Sequence, residues 1–320
     1  MRDVTLCECF ARDGLQHEPN FLPTPTKRRL VERFAEIGFQ RVEATSYSNP
    51  AVIPQFADAS SLLATLQRRA GVFYKATCAN VRAVERAVGD LSAGHGANEI
   101  SLLVSASESH SLKNLKRSRA DQWLNIQQMA EKALNQFRLI GTVSVAFGCP
   151  FEGRVSEASV LADVEQFAKR GVKFVTLGDT TGVATPQSVK RLFSAVLATF
   201  PEITPIAHFH DTRATGLVNY VAALEAGVTW YDCAFGGVGG HPAKVKYGGG
   251  HTGNVSTEDW VNLLESMGVR TGIDLDRLLD VAAECEAALG RELHSRVLRS
   301  GLNPLLPTTV SQTTSSNEEV

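Results

Sequence analysis

The chain has 320 residues, a formal net charge of −2, 43% hydrophobic and 21% charged residues, the balance of an ordinary globular protein. No apolar run approaches the ~20 residues of a membrane helix, and the near-neutral charge argues against a polyanionic partner such as nucleic acid. The opening residues, MRDVTLCECFARDG, enter a strand-like pattern at once. That leaves no room for a signal or transit peptide, so a cytoplasmic protein is expected. The six cysteines (Cys7, Cys9, Cys78, Cys149, Cys233, Cys285) are scattered and form no CxxC pair, so they are expected to be buried, reduced thiols.

In chain order, strand-like runs fall at Val4–Cys9, Arg41–Ala44, Val72–Thr77, Glu99–Val104, Val143–Phe147, Phe174–Leu177, Ile206–Phe209 and Thr229–Ala234. Helical stretches follow them near 25–37, 54–69, 80–89, 120–139, 156–170, 186–199, 213–226 and 256–267. Thr185-Pro186 pairs a capping hydroxyl with proline at a first helical position. Ser156 opens another helix, and Gly171 follows its end where a left-handed cap is favoured. Strand–helix alternation implies a parallel sheet, and eight units over about 270 residues suit a closed (β/α)8 barrel. An open doubly wound sheet is the alternative, but the first strand–helix turn, Phe10-Ala-Arg-Asp-Gly-Leu-Gln, lacks its GxGxxG fingerprint. The expected organisation is a barrel over 1–272, appended helices over 273–306 and a disordered tail over 307–320, rich in Ser, Thr and Glu.

A barrel of this kind builds its active site at the carboxyl-terminal ends of the strands. Arg12, Asp13 and Gln16 follow strand 1, with Gln16 a candidate substrate contact. Glu43 ends strand 2, Asp179 follows strand 6, and His208 and His210 close strand 7. Residues two apart on a strand share a face, so both imidazoles can face the mouth. With Asp13 and Asn254 at matching rim positions they make a mixed nitrogen–oxygen site for a divalent cation; hydrogen-bonded rim histidines are the plainer alternative. Arg12 would stabilise a developing oxyanion. Glu43 and Asp179 are either strand-end or helix-capping carboxylates, or orienters and proton carriers. The glycine-rich segment 236–254 suits a lid, in which Lys244 and Lys246 are solvated charges or phosphate contacts.

The motifs ARDGLQHE, VEATSYSNP with VIPQFAD, FGCPFEG, LGDTTGVATP, HFHDT and GNVSTEDWVNLLESMGVRTGID occur in order along the chain. Through them, from about residue 4 to 290, the chain resembles the hydroxymethylglutaryl-CoA lyase family. The resemblance implies a Mg²⁺- or Mn²⁺-dependent barrel that cleaves 3-hydroxy-3-methylglutaryl-CoA to acetyl-CoA and acetoacetate, as in leucine degradation. It implies Asp13, His208, His210 and Asn254 as metal ligands, and Arg12 as stabiliser of the departing enolate. It further implies active-site carboxylates at Glu43, Asp179 and Glu258, and a CoA contact at Asn114; Lys244 is a second candidate CoA contact. The family's lid reads Gly-Gly-Cys-Pro-Tyr-Ala with a proton-transferring cysteine, whereas here Gly239-Gly240-His241-Pro242-Ala243 puts His241 in that place. Histidine can do acid–base work near neutral pH. A condensing relative that joins acetyl-CoA to a 2-oxoacid and a non-catalytic homologue are the competing readings; a homodimer is expected by analogy.

Overall fold

The computed structural model describes residues 2–133, 135–240 and 253–306. Eight parallel strands close into a barrel in sequence order: β1 (Thr5–Glu8), β2 (Arg41–Ser46), β3 (Phe73–Cys78), β4 (Glu99–Ser105), β5 (Arg138–Ser144), β6 (Phe174–Asp179), β7 (Thr204–Phe209) and β8 (Trp230–Cys233). Pairing of β1 with β8, from Thr5↔Trp230 to Glu8↔Cys233, closes the ring and rules out an open sheet. The barrel is wrapped by α1 (Thr24–Glu36), α2 (Ala59–Thr65), α3 (Val81–Ser92), α4 (Glu108–Asn114), α5 (Arg119–Ala133), α6 (Glu157–Ala168), α7 (Pro186–Thr199), α8 (Gly216–Glu225) and α9 (Thr257–Ser266). Among the described residues no helix is long and apolar enough to cross a membrane.

Strand alternation sorts the residues by face. Val42, Ala44, Tyr74, Ala76, Val175 and Leu177 are buried in the hydrophobic core. The opposite positions line a lumen that is ionic where barrels usually hold branched aliphatics. Arg41 Nη2 lies 2.8 Å from Glu99 and its Nη1 3.2 Å from Asp232, while Arg138 Nε donates to Glu99 at 2.6 Å. Each buried charge is therefore paired, the condition under which ions persist away from water.

Three elements differ from the sequence expectation. The fifth strand is Arg138–Ser144, not 143–147, and Val145 already has a left-handed φ of 53°. Gly141 breaks the apolar pattern that would have marked this strand. A Cβ at Gly141 would lie 2.6 Å from Phe167 Cγ, so glycine lets the α6 ring lie directly on β5. Gly141→Ala should therefore destabilise the fold by about 1–3 kcal/mol, read as a lowered urea midpoint; an unchanged midpoint would show that the ring yields freely. The second difference is α4, unmarked in sequence because ESHSLKN has no apolar period. The expected helix near 54–69 divides into a 3₁₀ turn, Pro54–Phe56, and the shorter α2.

The capping signals hold. Thr185 and Ser188 form a reciprocal capping box on α7, Ser156 accepts from Ser159 N at the start of α6, and Gly171 has φ +75°. Beyond α9 come α10 (Leu275–Leu289) and α11 (Val297–Ser300). Glu284 on α10 pairs with Arg33 on α1 at 3.0 Å, and Leu293 belongs to the same apolar core as the barrel helices. The expected boundary at 272/273 falls between α9 and α10, and the expected tail at 307–320 lies outside the described residues. All six cysteines are free and buried.

Candidate active site

Directly after β1 the chain makes one π-helical turn, Phe10–Gly14, a wide turn often found at functional sites. It brings Arg12 and Asp13 to the barrel mouth. Arg12 Nη2 lies 2.8 Å from Glu43 Oε2 and its Nη1 2.8 Å from Asp13 Oδ1, with Gln16 Oε1 accepting at 3.3 Å. Glu43 is fully buried at a bulge in β2. Burial alone would raise its carboxyl, but Arg12, Lys75 and the Thr77 hydroxyl (2.7 Å) outweigh it and hold it below its ordinary value. Asp13 follows the same logic: burial opposes ionisation, and Arg12 with the two histidines reverses this, leaving it well below the usual carboxylate range. Both carboxylates are thus charged at neutral pH.

His208 and His210 face the same cavity from β7 and its end. Their Nε2 atoms lie 4.0 and 3.5 Å from Asp13 Oδ2. Asn254 reaches the cluster because residues 253–256 return to the rim, with an antiparallel bridge between His210 and Asn254. Its Nδ2 donates to Asp13 Oδ2 at 2.7 Å and to Val238 O at 2.8 Å. The arrangement fits a divalent cation on three grounds. Asp13, His208 and His210 offer ligand atoms all within 4.8 Å of one another. Among the described residues, Asn254 Oδ1 and His210 Nδ1 are buried without a hydrogen-bond partner. At Gly239 (φ +129°) a Cβ would lie 2.3 Å from Asn254 Nδ2 and 3.1 Å from Asp13 Oδ2, so glycine keeps the space open.

Arg12, Asp13, Gln16, Asn114, His208 and His210 line one cavity of about 150 Å³, with Glu43 behind Arg12. Asp179 and Glu258 are placed differently. Asp179 accepts from the N–H groups of Val183 and Ala184, each at 2.9 Å, and so shapes the loop before α7. Glu258 accepts from Gly236 N at 3.1 Å on both oxygens, at the root of the glycine-rich segment. Beside it Glu8 gathers three segments: it accepts from Phe10 N (2.8 Å), Phe235 N (3.1 Å) and the Thr257 hydroxyl (2.5 Å). His241 and Lys244 lie outside the described residues. Lys75 and Asp232 line the cavity as well, and sequence reading overlooked them. The available signal was a lysine and an aspartate at lumen-facing positions of otherwise apolar strands.

Burial pushes the Glu258 carboxyl up to about 7, against the Gly236 N–H that favours its charge. A carboxyl raised on folding adds stability below its unfolded value, and that stability is lost as pH rises through the folded value. Glu258→Gln should therefore gain on the wild type by about 1–3 kcal/mol between pH 5 and pH 8, measured as the difference in Tm at each pH. A gap that does not change with pH would contradict the raised carboxyl.

A closed parallel barrel with an arginine–carboxylate pair beside an aspartate and two histidines at its carboxyl-terminal mouth defines a barrel enzyme whose site can hold a divalent cation. Sequence comparison narrows the class. The chain belongs to the HMGL-like family, whose model matches residues 3–284, and it is a carbon–carbon lyase. Hydroxymethylglutaryl-CoA lyase YngG of Bacillus subtilis is 37% identical over 301 residues, covering 93% of this chain and 97% of that protein. The mitochondrial hydroxymethylglutaryl-CoA lyase of Macaca fascicularis is 35% identical over 300 residues, covering 93% and 90%. Among solved structures, an HMG-CoA lyase from Acinetobacter baumannii in complex with coenzyme A and 3-methylmalate superimposes with a TM-score of 0.88 at 38% identity, covering 95% of this chain and 97% of that one.

Proposed function

We propose that the protein cleaves 3-hydroxy-3-methylglutaryl-CoA, or a close 3-hydroxyacyl-CoA analogue, to acetyl-CoA and a 3-oxoacid. Asp13, His208, His210 and Asn254 would hold the Mg²⁺ or Mn²⁺ ion. The observation that carries this reading is the Arg12 guanidinium standing in one cavity with the Asp13–His208–His210 cluster. The relatives' activity and the coenzyme A bound in the Acinetobacter baumannii lyase support the substrate class. When bound, the cation supplies Lewis acidity that lowers the pKa of the substrate's 3-hydroxyl.

The rest follows from the chain's own side chains. An imidazole nitrogen of His241 takes the 3-hydroxyl proton. The C2–C3 bond then breaks, its electron pair passing to the thioester as an enolate while C3 becomes a carbonyl. Arg12 faces the enolate oxygen with charge-assisted hydrogen bonds, and Glu43 fixes the guanidinium from behind. His241 returns the proton to C2, so atoms and charge balance. Gln16 and Asn114, both on the cavity wall, are the substrate and CoA contacts of this reading, and Lys244, outside the described residues, is its further candidate CoA contact. Asp179 and Glu258 act by shaping the loops they cap. A cytoplasmic setting belongs to the same proposal, supported by six free thiols.

The reading is tested by incubating the protein with Mn²⁺ and 3-hydroxy-3-methylglutaryl-CoA, and separately with acetyl-CoA and a 2-oxoacid. Acetoacetate release in the first is the expected result. Rapid thiol release in the second, without acetoacetate in the first, would assign a condensing enzyme instead.

A further inference from the structure

We propose that Lys75 is a positioning residue of this cleavage: its ammonium, set between Glu43 and Asp232, holds the Arg12 guanidinium and the His208 imidazole in their working orientations. An unbroken chain of charged and polar contacts crosses the barrel mouth. Its ion pairs run from Arg12 to Glu43 (2.8 Å), Glu43 to Lys75 (3.4 Å) and Lys75 to Asp232 (3.6 Å), and Asp232 then lies 3.5 Å from the Nδ1 of the His208 imidazole. Lys75 is its centre, 3% exposed and on the cavity wall. The β3 alternation aims Lys75 and Thr77 into the lumen while Tyr74 and Ala76 face the helices. Burial alone would strip the ammonium of its proton, but Asp232 and Glu43 reverse this and keep it charged.

Without that cation, two buried carboxylates would face each other across the gap. Asp232 would keep Arg41 (3.2 Å), and Glu43 would keep Arg12 and the Thr77 hydroxyl. Counter-ions therefore remain for folding. Each carboxylate, however, would be drawn towards its remaining cation, and Asp232 would leave His208. Groups that orient ligands in this way commonly change metal affinity or activity by about 10- to 100-fold when removed.

The inference rests on the proposed lyase reading for its kinetic arm alone; its binding arm is independent. Lys75→Ala should lower Mn²⁺ affinity, measured by calorimetry, at least ~10-fold and kcat at least ~100-fold, with KM changed less than about threefold. Because the side chain lines the cavity, ethylammonium should enter the space left and restore both in a saturable manner. Lys75→Arg, which keeps the charge, should retain Mn²⁺ affinity within about threefold. Wild-type Mn²⁺ affinity in a folded Lys75→Ala or Lys75→Met protein would overturn the proposal. So would failure of both neutral variants to fold, which would make Lys75 a structural counter-ion. A wild type that binds Mn²⁺ but does not cleave the C2–C3 bond of the acyl-CoA would sink the lyase reading, and the affinities would still decide the part played by Lys75.

Discussion

Arg12→Gln should lower kcat by about 10²- to 10³-fold while KM for the acyl-CoA changes little. In the proposed mechanism the guanidinium meets negative charge that develops only as the C–C bond breaks, and one such donor is worth about that much. The fold should survive. Glu43 would keep Lys75 at 3.4 Å and the Thr77 hydroxyl at 2.7 Å, so no buried carboxylate is left unpaired. Circular dichroism and Tm report the fold, and steady-state kinetics report the effect. A kcat within threefold of wild type in a folded Arg12→Gln protein would remove Arg12 from the chemistry.

Loss of a proposed metal ligand should be more severe still. Asp13→Ala removes the oxygen towards which His208, His210 and Asn254 Nδ2 all converge, and His210→Ala removes one of two imidazoles. Either should weaken Mn²⁺ binding beyond calorimetric detection and reduce turnover by at least ~10³-fold. Wild-type protein stripped by a chelator should lose activity and regain it when Mn²⁺ is returned. Full turnover in either variant without bound metal would show that these residues are not ligands.

Much of this site was legible in the sequence because barrel geometry turns strand ends into a rim. His208 on β7 and His210 just past its end are two apart, and the period of a strand alone puts them on one face. Arg12, Asp13 and Asn254 were legible as rim positions, although the π-helical turn that presents the first two leaves no compositional trace. The direction of a buried carboxylate was not legible. Asp179 and Glu258 sit at motif positions like those of Asp13 and Glu43, yet their oxygens satisfy the backbone N–H groups of Val183, Ala184 and Gly236. Sequence spacing cannot separate a loop-capping carboxylate from one that faces substrate.

The fold shows the same division. Seven strands appeared as apolar runs, but β5 was displaced because Gly141, required by the Phe167 ring, interrupts its pattern. The polar lumen was equally hidden. Barrel interiors are usually aliphatic, so Arg41, Lys75, Glu99 and Asp232 read as isolated charges until the closed sheet brings them within ion-pair distance of one another.

The reaction proposed for this Asp–His–His–Asn rim is cleavage of the C2–C3 bond of an acyl-CoA. Its most direct test is a product balance, by mass spectrometry, for Mn²⁺-loaded protein supplied with 3-hydroxy-3-methylglutaryl-CoA. One acetyl-CoA and one acetoacetate are expected for each substrate consumed, and neither product from chelator-stripped protein. Metal-loaded protein that leaves this thioester and its close 3-hydroxyacyl analogues intact would contradict it.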